Sequence, residues 1–363
     1  MYRSITDLNI HHLRNISSAE LHFHPKCNLF YGENGSGKTT LLEALYILST
    51  GHSFRTREIS PLVSYGKDAL TVFARTSSNE TISIQKRASG PTQVKLNRQS
   101  CFTSSELAHF LPSQVFYQDI FQIIDAGPSD RRALLDWGLF HVEPSYHAVW
   151  KSYRLVIKQR NALLRQKAPV QQFVPWNTQL VSIALQLDEM RSRYFAEWSR
   201  LFQTFLQQLT DVPCELRYYK GWDKKNTGKS LDDLLVEHFT NDLQRQYTHV
   251  GPHQAEIYFD TDSHKAQRIL SRGQQKIVLI ALKLAQATFS SLNCIYLFDD
   301  IAAELDSAHL SRLIGCLSAL KGQLFVTAID DKTLSLFQDA FDSNTYCVEK
   351  GTIVQVNVSR ETL

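Results

Sequence analysis

A glycine-rich segment near the start of the chain has the residue types needed to bind a phosphate group. Gly-Glu-Asn-Gly-Ser-Gly-Lys-Thr at 32–39 has the form GxxxxGK[ST], in which glycines let backbone amides turn inward around the anion. Lys38 would place its charge at the β- and γ-phosphates, and the Thr39 hydroxyl would bind magnesium. The alternative is a glycine-rich turn that only caps a helix; the complete match favours the phosphate loop. The residues assigned to the nucleotide here are Gly32, Glu33, Asn34, Gly35, Ser36, Gly37, Lys38, Thr39 and Thr40.

Two adjacent carboxylates follow a short apolar strand much later in the chain. Asp299 and Asp300 come directly after residues 295–298, and a strand end is where a carboxylate can leave the core and reach a metal. Asp299 would bind magnesium, and Asp300 would polarise the attacking water. Alone, such a pair indicates only a solvated strand end. Together with the glycine loop it predicts a magnesium-dependent nucleotide site.

A third polar segment, Leu-Ser-Arg-Gly-Gln-Gln-Lys at 270–276, precedes a predicted apolar helix. A serine at such a position is ordinarily an N-cap. Its hydroxyl, the backbone amides and the helix dipole can also face a phosphate. The segment resembles the signature loop of ABC-type ATPases, and it lies about 25 residues before the Asp-Asp pair, in the usual order of that family. The resemblance assigns Ser271, Gly273 and Gln274 to the γ-phosphate of a nucleotide held by a second subunit.

The same resemblance assigns further residues. Asp306 fits the loop that follows the carboxylates along the subunit interface, and it also fits the N-cap of the next helix. Gln118 is the candidate for the glutamine of the Q-loop, with Gln114 as the competitor. Asp300 stands where most ABC ATPases have a glutamate, and its shorter side chain predicts slow hydrolysis. The catalytic set is Lys38, Ser271, Asp299 and Asp300.

The composition of the 363 residues is that of an ordinary globular protein, with 43% apolar and 21% charged residues. A net charge of +3 is too small to establish a nucleic-acid partner. The six cysteines are widely scattered, which argues for reduced thiols and against a disulfide framework or a zinc site. No uncharged apolar run approaches the roughly 20 residues of a membrane helix, and no signal peptide is found. We expect a cytoplasmic protein with no membrane partner.

The spacing of apolar side chains predicts the elements that position these residues. Cys27–Tyr31 is a short apolar strand that leads into the glycine loop, and a helical pattern begins at Lys38. Residues 69–97 alternate between apolar and polar side chains and predict an antiparallel patch. The elements predicted for the last part are strands at Cys294–Phe298 and at 324–328, and a hairpin at 346–356.

The middle of the chain is predicted to be helical, over residues 131–166, 178–209 and near 231–247. Asp299 must lie within a few ångströms of the phosphate loop to share a metal with it. Its strand must therefore belong to the same sheet as Cys27–Tyr31, which makes the helical middle an insertion.

These arguments predict an α/β fold with two lobes. The first is an ABC-type P-loop ATPase head with a parallel sheet and an antiparallel β patch, formed by residues 1–125 and 250–363. The second is an inserted α-helical lobe formed by residues 126–249.

The helical middle also contains the best candidates for contact with nucleic acid. Residues 126–250 contain 17 Lys and Arg against 13 Asp and Glu, and no acidic residue occurs between Pro144 and Leu187. An ordinary solvated helix face is the alternative to a phosphate-contacting one. Arg55 and Arg57 likewise have two interpretations. They could contact nucleotide phosphates or DNA, or they could be solvated at the surface. The basic residues that helical spacing places on one face are Lys151, Arg154, Lys158 and Arg165.

Beyond single motifs, the chain resembles the RecF family, bacterial recombination and replication-repair ATPases of the SMC-like branch of the ABC superfamily. The resemblance spans nearly the whole length, and its middle segments are absent from generic ABC ATPases. It departs from the family at Gln254, where arginine usually follows Gly-Pro-His, and at Gln118, where proline is common. The segments that carry it are residues 13–15, 32–39, 51–55, 127–128, 131–132, 135–138, 140–144, 251–253, 270–276, 298–300 and 304–306.

The resemblance implies ATP and Mg²⁺ as cofactors. It implies homodimerisation with ATP on duplex DNA and single-strand/double-strand junctions near gaps, and slow, DNA-stimulated hydrolysis that allows release. It also implies RecR and RecO as partners in loading the RecA recombinase.

Two other classes of function remain open from the residues alone. One is the nucleotide-binding half of a transporter, against which the helical insertion and the missing histidine after Thr327 argue. The other is an adaptor whose ATP site switches a partner with negligible turnover, against which the intact Lys38, Thr39, Asp299 and Asp300 argue. ATP turnover with and without DNA distinguishes an adaptor from an ATPase.

Overall fold

A computed structural model of the chain describes residues 3–101, 103–117, 123–261, 264–265, 270–290, 293–301 and 305–356. Contacts divide the chain into two compact units. Unit 1 contains Met1–Ile120 and Ser291–Leu363, and unit 2 contains Phe121–Ser290. Unit 1 is therefore formed by both ends of the chain.

The elements are named in chain order. The first stretch of unit 1 contains β1 (Ile5–Leu13), β2 (Ile16–His22), β3 (Cys27–Tyr31), α1 (Lys38–Thr50), β4 (Ala69–Thr76), β5 (Thr81–Arg87), β6 (Gln93–Leu96), β7 (Gln99–Ser100), α2 (Ser104–Phe110) and β8 (Ser113–Phe116). Unit 2 contains α3 (Pro128–Val142), α4 (Tyr146–Arg165), α5 (Val174–Leu209), β9 (Glu215–Tyr219), α6 (Leu231–Glu237), α7 (Phe239–Arg245), β10 (Glu256–Thr261), β11 (His264–Lys265) and α8 (Arg272–Ser290). The second stretch of unit 1 contains β12 (Cys294–Phe298), α9 (Ser307–Ser318), β13 (Gly322–Ala328), α10 (Asp331–Ala340), β14 (Ser343–Glu349) and β15 (Thr352–Val356).

Unit 1 contains two six-stranded sheets. One is antiparallel, in the order β2-β1-β4-β5-β6-β7, and includes the antiparallel patch predicted from residues 69–97. The other has the order β15-β14-β3-β13-β12-β8, and its strands are parallel except for the β14–β15 hairpin. The strand before the Asp-Asp pair, β12, thus lies in the same sheet as β3, with β13 between them. This confirms the prediction made from the shared metal.

Helix α1 is buried on almost all sides because strands of both sheets contact it. Its leucines belong to one apolar cluster with residues of β1, β4 and β5 from the first sheet and of β3, β12 and β13 from the second. Ten of its 13 residues are buried, including the polar Lys38, Thr40, Glu43 and Ser49. The start of α1, where the glycine loop ends, is therefore fixed against both sheets.

Unit 2 is mainly helical, with a small antiparallel sheet in the order β11-β10-β9. Helix α5 has 36 residues, which at 1.5 Å per residue makes it about 54 Å long. Helices α4 and α8 both pack along it. The indole Nε1 of Trp198 in α5 donates a hydrogen bond to the backbone oxygen of Leu282 in α8 at 3.0 Å. Helix α8 is therefore part of the core of unit 2.

The predicted α/β architecture, with a parallel sheet, an antiparallel patch and a helical insertion, is found in the structure. The contact units differ from the predicted lobes at residues 121–125, which belong to unit 2, and at residues 250–290. Residues 250–290 group with the helices of unit 2 because α8 packs along α5, whereas the prediction assigns 250–363 to the ATPase head. The functional assignment of this segment to the head stays a prediction.

Some predicted helices differ in their bounds. Residues 131–166 form two helices, α3 and α4, because Pro144 disfavours helical geometry in the preceding Glu143, which is extended at φ −113°. The segment near 231–247 likewise forms α6 and α7. Helix α5 begins at Val174 rather than at residue 178, with a proline in its first turn, where a missing N–H costs no hydrogen bond.

Within the described residues, no helix is long and apolar enough to cross a membrane. The six cysteines all lie in that part of the chain, and none of them forms a disulfide.

Candidate active site

The glycine loop joins the end of β3 to the start of α1, the junction predicted from the sequence. Gly37 precedes α1 with φ 122°, a conformation that L side chains rarely adopt. A Cβ at Gly32 would lie 2.2 Å from the backbone oxygen of Val348 in β14. Glycine is therefore required at both positions for this loop geometry.

Two hairpin turns hold the loop from outside. Between β1 and β2, the Asn15 side chain donates hydrogen bonds to the backbone oxygens of Gly35 (3.3 Å) and Ser36 (3.1 Å). Between β14 and β15, the Gly351 N–H donates to the Ser36 backbone oxygen at 2.7 Å. In a trans peptide unit the N–H points opposite to the C=O. Holding the Ser36 carbonyl outside therefore turns the Gly37 amide toward the inside of the loop.

Inside the loop, the Lys38 ammonium group is bonded to the backbone. Its Nζ donates to the backbone oxygens of Gly32 at 2.5 Å and Glu33 at 2.9 Å. Burial lowers the pKa of Lys38, while the charges of Asp300 and Asp299 act in the opposite direction. A phosphate would accept hydrogen bonds from this partly desolvated ammonium group and would add negative charge to that of the two carboxylates.

Two further observations test whether the loop fits a nucleotide. The Ser36 hydroxyl is buried and has no hydrogen-bond partner. A Cβ at Gly35 would meet no atom within 4 Å, so there is open space at this point of the loop. A buried polar group without a partner calls for a ligand or water. The residues present therefore fit the phosphates of ATP.

The two metal candidates, Thr39 and Asp299, meet although 260 residues separate them. The Thr39 hydroxyl lies 3.0 Å from each carboxylate oxygen of Asp299. Burial raises the pKa of Asp299, and hydrogen bonds from Thr39 and Thr327 oppose that shift. Among the described residues, no group of three or more His, Cys, Asp or Glu side chains could hold a metal ion. One hydroxyl and one carboxylate suit Mg²⁺, which takes its other ligands from water and nucleotide phosphates.

Asp300 adopts a left-handed backbone conformation, with φ 49°, which is uncommon for a residue other than glycine. Its N–H donates a hydrogen bond to the Thr327 hydroxyl oxygen at 2.9 Å. Its negative charge opposes the lowering of the Lys38 pKa by burial. Both carboxylates of the predicted pair therefore interact electrostatically with the lysine of the phosphate loop.

Arg55 is one of the two arginines left open by the sequence. It lies close enough to Asp299 for its charge to act against the rise in the Asp299 pKa that burial causes. The segment that carries it is held to α1 through Glu43, which is fully buried and accepts a hydrogen bond from the Ser53 hydroxyl. Arg14 donates to both carboxylate oxygens of Glu43 at 2.5 and 2.9 Å. The first hairpin, α1 and the Arg55 segment are thereby connected.

The segment at 270–276, in unit 2, forms the N-terminus of α8. The Gln274 N–H donates to Ser271 Oγ at 3.3 Å, and the Ser271 N–H donates to Gln274 Oε1 at 2.9 Å, which together make a capping box. Ser271 is exposed, and a Cβ at Gly273 would meet nothing within 4 Å. The N-cap interpretation is confirmed, and contact of Ser271 with a phosphate stays a prediction.

Asp306 is the N-cap of α9. Its carboxylate accepts a hydrogen bond from the His309 N–H at 2.8 Å, and the hydrogen bonds from His309 lower the pKa of Asp306. Gln118 and Glu304 lie outside the described residues. Gln114 lies within β8, is 3% exposed, and has a side-chain Nε2 without a hydrogen-bond partner. A buried strand position differs from the loop position expected of the Q-loop glutamine.

The four basic residues predicted to contact DNA are exposed on α4. With Trp150 and Leu155 they line an open groove of about 750 Å³ in unit 2. The Arg154 guanidinium lies 4.8 Å from the centre of the Trp150 ring. Arg160, a further basic residue of α4, is fully buried and pairs with Asp242 at 2.7 Å, so it does not belong to this face. The exposed residues are Lys151, Arg154, Lys158 and Arg165.

Asn15 and Thr327 also contact the site, and the sequence assigned neither of them a role there. Asn15 also contacts the first turn of α1, because its Oδ1 accepts a hydrogen bond from the Thr40 hydroxyl at 3.1 Å. A hydroxyl within a buried strand is the signal that could have pointed to Thr327. For Asn15, a polar residue in a hairpin turn gives no such signal, since its contacts depend on the tertiary fold.

One protein family and several of its members are similar to this chain in sequence. The family model described as RecF/RecN/SMC N terminal domain matches residues 4–352. The DNA replication and repair protein RecF of Cellvibrio japonicus is 37% identical over 341 residues, which cover 91% of this chain and 93% of that protein. The DNA replication and repair protein RecF of Acinetobacter baumannii is 39% identical over 357 residues, which cover 96% of this chain and 98% of that protein.

Solved structures share the fold. The structure of the recombination mediator protein RecF-ATP in the RecFOR pathway aligns with a TM-score of 0.82 at 22% identity and covers 98% of both chains. The Smc head bound to the C-winged helix domain of ScpA aligns with a TM-score of 0.62 at 19% identity, over 99% of this chain and 98% of that one. Together with the family model, these alignments confirm the predicted fold class, an α/β head with a parallel sheet and an antiparallel β patch, and an inserted helical lobe.

Proposed function

Because this chain belongs to the RecF family, within the RecF/RecN/SMC N-terminal domain proteins, we propose that it is an ATP-dependent DNA-binding protein of replication and recombinational repair. The names of its relatives support the role in repair and replication. The single observation that carries the ATP site is the contact of the Thr39 hydroxyl with both oxygens of Asp299, beside a loop that fits phosphates.

The residues of unit 1 would bind and hydrolyse ATP. Amides of the glycine loop and the Lys38 ammonium group bind the phosphates, and Lys38 exchanges its two backbone acceptors for them. Thr39 and Asp299 would hold magnesium, which neutralises the charge that develops on the phosphates. Asp300 would accept the proton of the attacking water. An aspartate reaches less far than a glutamate, so turnover should be slow.

The same ATP would join two copies of the chain. The exposed Ser271 hydroxyl and the first amides of α8 form a helix start suited to an anion. In a twofold dimer, the Ser271 segment of each copy would contact the γ-phosphate held by the other. ATP would thereby favour the dimer, because the interface is incomplete without it, and hydrolysis would release it.

DNA would be held while the dimer persists. The basic face of α4 supports this part of the proposal, because four exposed positive side chains on one helix suit a phosphate backbone. Duplex DNA at a single-strand gap is the proposed substrate, with turnover stimulated by DNA. RecR and RecO, from the RecFOR pathway of the structural relative, are the proposed protein partners in loading RecA in the cytoplasm.

Sedimentation of the purified protein tests this function. It would be measured with no nucleotide, with ADP, and with ATP plus Mg²⁺, each with and without gapped duplex DNA. We expect a monomer that becomes a dimer with ATP and Mg²⁺ and that retains DNA in this state. A monomer that ignores both nucleotide and DNA would contradict the proposal. A DNA-bound dimer without any ATP turnover would favour the adaptor instead.

A further inference from the structure

Thr327 lies one residue before the end of β13 and is fully buried. A hydroxyl in such a place must be satisfied by protein groups. Its Oγ1 lies 3.0 Å from Asp299 Oδ1, accepts a hydrogen bond from the Asp300 N–H at 2.9 Å, and lies 3.4 Å from the backbone oxygen of Phe298. One side chain therefore contacts both members of the carboxylate pair.

The hydroxyl is the donor in one of the two shorter contacts and the acceptor in the other. It has one proton, which it donates to Asp299 Oδ1, and its lone pairs remain for the Asp300 N–H. The first hydrogen bond fixes the rotation of the Asp299 carboxylate. The second holds Asp300 in its left-handed conformation, which persists only where the surroundings enforce it.

We propose that Thr327 is a positioning residue for ATP hydrolysis, which sets the Asp299 carboxylate for the metal and the Asp300 carboxylate for the attacking water. The proposal rests on the proposed function, in which these two carboxylates have those roles. Thr39, the other hydroxyl that contacts Asp299, is itself assigned to the metal. Thr327 contacts the pair from the neighbouring strand, and it can hold both residues whether or not the metal is bound.

The same strand offers a control that is buried to the same degree but is bonded elsewhere. Gln323 is 1% exposed. Its side chain accepts from the Ile5 N–H at 2.8 Å and donates to the backbone oxygens of Ile5 at 2.8 Å and His24 at 2.9 Å. These groups belong to the start of the chain and not to the site. Loss of the Gln323 amide should therefore affect stability without affecting hydrolysis.

The experiment compares Thr327→Val, Thr327→Ser and Gln323→Met in the full chain. Each variant is measured for thermal unfolding, for the affinity of a fluorescent ATP analogue in EDTA and in Mg²⁺, and for ATP turnover. In EDTA, Thr327→Val should bind the analogue with the affinity of the wild type. Its kcat should be about 10–100-fold lower, and the increase in affinity that Mg²⁺ causes should be smaller by about the same factor. Thr327→Ser retains the hydroxyl and should stay within about threefold of the wild type.

The control separates positioning from stability. Gln323→Met should lower the unfolding temperature and leave both kcat and the effect of Mg²⁺ unchanged. The proposal is overturned if Thr327→Val keeps the wild-type response to Mg²⁺ and the wild-type kcat. It is also overturned if Thr327→Ser fails as Thr327→Val does, since packing rather than the hydroxyl would then matter.

Two outcomes remain to be distinguished. If Thr327→Val does not fold, Thr327→Ala replaces it, because alanine removes the hydroxyl without adding any contact. If the wild-type protein binds ATP without turnover, the proposed hydrolysis fails. The Mg²⁺-dependent part of the affinity then still supports or overturns the role of Thr327 at Asp299.

Discussion

The two segments assigned to nucleotide phosphates are stabilised in different ways. In unit 1, the glycine loop is held from outside by Asn15 and Gly351 and from inside by Lys38. In unit 2, the segment at Ser271 is held by a capping box with Gln274, three residues away in its own helix. The first site depends on contacts between distant parts of the chain, whereas the second is an exposed helix start. Binding of ATP and the response to it should therefore be separable by mutation.

The largest effect is expected from Lys38→Ala, on the glycine-loop side of this comparison. The change removes the ammonium group assigned to the β- and γ-phosphates. Hydrogen bonds to charged groups contribute about 1.5–3 kcal/mol each, so ATP affinity should fall about 100-fold. Titration with a fluorescent ATP analogue measures it. Lys26→Ala is the control, because Lys26 donates to the backbone oxygen of Leu320 and not to the loop. Equal affinities of the two variants would contradict the assignment.

Ser271→Ala tests the other side of the comparison. The change removes the hydroxyl that we assign to the nucleotide of the second copy, at two symmetric places in the dimer. We expect ATP affinity close to that of the wild type. The dimer should be weakened about 10–100-fold, because one charge-assisted hydrogen bond is lost at each of two sites and water partly replaces each one. Analytical ultracentrifugation with ATP and Mg²⁺ measures the dimer.

A second capping box provides the control for Ser271. Ser230 and Asp233 form the same reciprocal pair at the start of α6. Ser230→Ala should destabilise its helix by about 0.5–2 kcal/mol, as Ser271→Ala does. Only the Ser271 variant should impair dimerisation. If both variants dimerise equally well, the capping box at 271 is only structural, and the comparison loses its functional meaning.

Asn15→Ala sharpens the comparison within unit 1, because it removes a support of the loop without removing a group assigned to ATP. At about 1 kcal/mol per neutral hydrogen bond, with partial replacement by water, ATP affinity should fall about 5–10-fold. The control is Asn97→Gly, in another hairpin turn of the same sheet, where Asn97 accepts from the Thr81 N–H at 2.8 Å. Unchanged affinity in Asn15→Ala would show that Gly351 suffices to hold the loop.

The smallest effects are expected on the face of α4. Lys151→Gln and Lys158→Gln should each weaken DNA binding about threefold and reduce the dependence of log affinity on log salt by about one. Fluorescence anisotropy at several salt concentrations, with ATP and Mg²⁺ present, measures both quantities. Arg200→Gln is the control, because Arg200 is an exposed residue of α5 that pairs with Glu197. An unchanged salt dependence in the lysine variants would place the DNA elsewhere.

The sequence predicted that Asp299 would lie beside Thr39 of the glycine loop, and the structure brings the two together. That prediction was possible because phosphate and metal geometry fix residue types at fixed spacings, and the roles of these residues stay predictions. The sequence did not assign roles to Asn15 and Thr327, since strand pairing and hairpin packing, rather than a local pattern, bring them to the site. Helical periodicity also failed to indicate the break between two helices at Pro144. The grouping of residues 250–290 depends on which core accepts α8, and an apolar helix face does not specify its partner.

The position of β3 has a consequence for how this protein is made. β3 lies between β13 and β14, so both of its neighbours are synthesised about 300 residues after it. At about 5–20 residues per second, the strand remains unpaired for about 15–60 s, with its apolar side chains available for aggregation or a chaperone. A nascent chain that has reached only residue 320 should therefore not bind ATP, although its glycine loop was translated long before. Retention of ribosome-bound chains on ATP-agarose, at increasing lengths, would measure when the site forms.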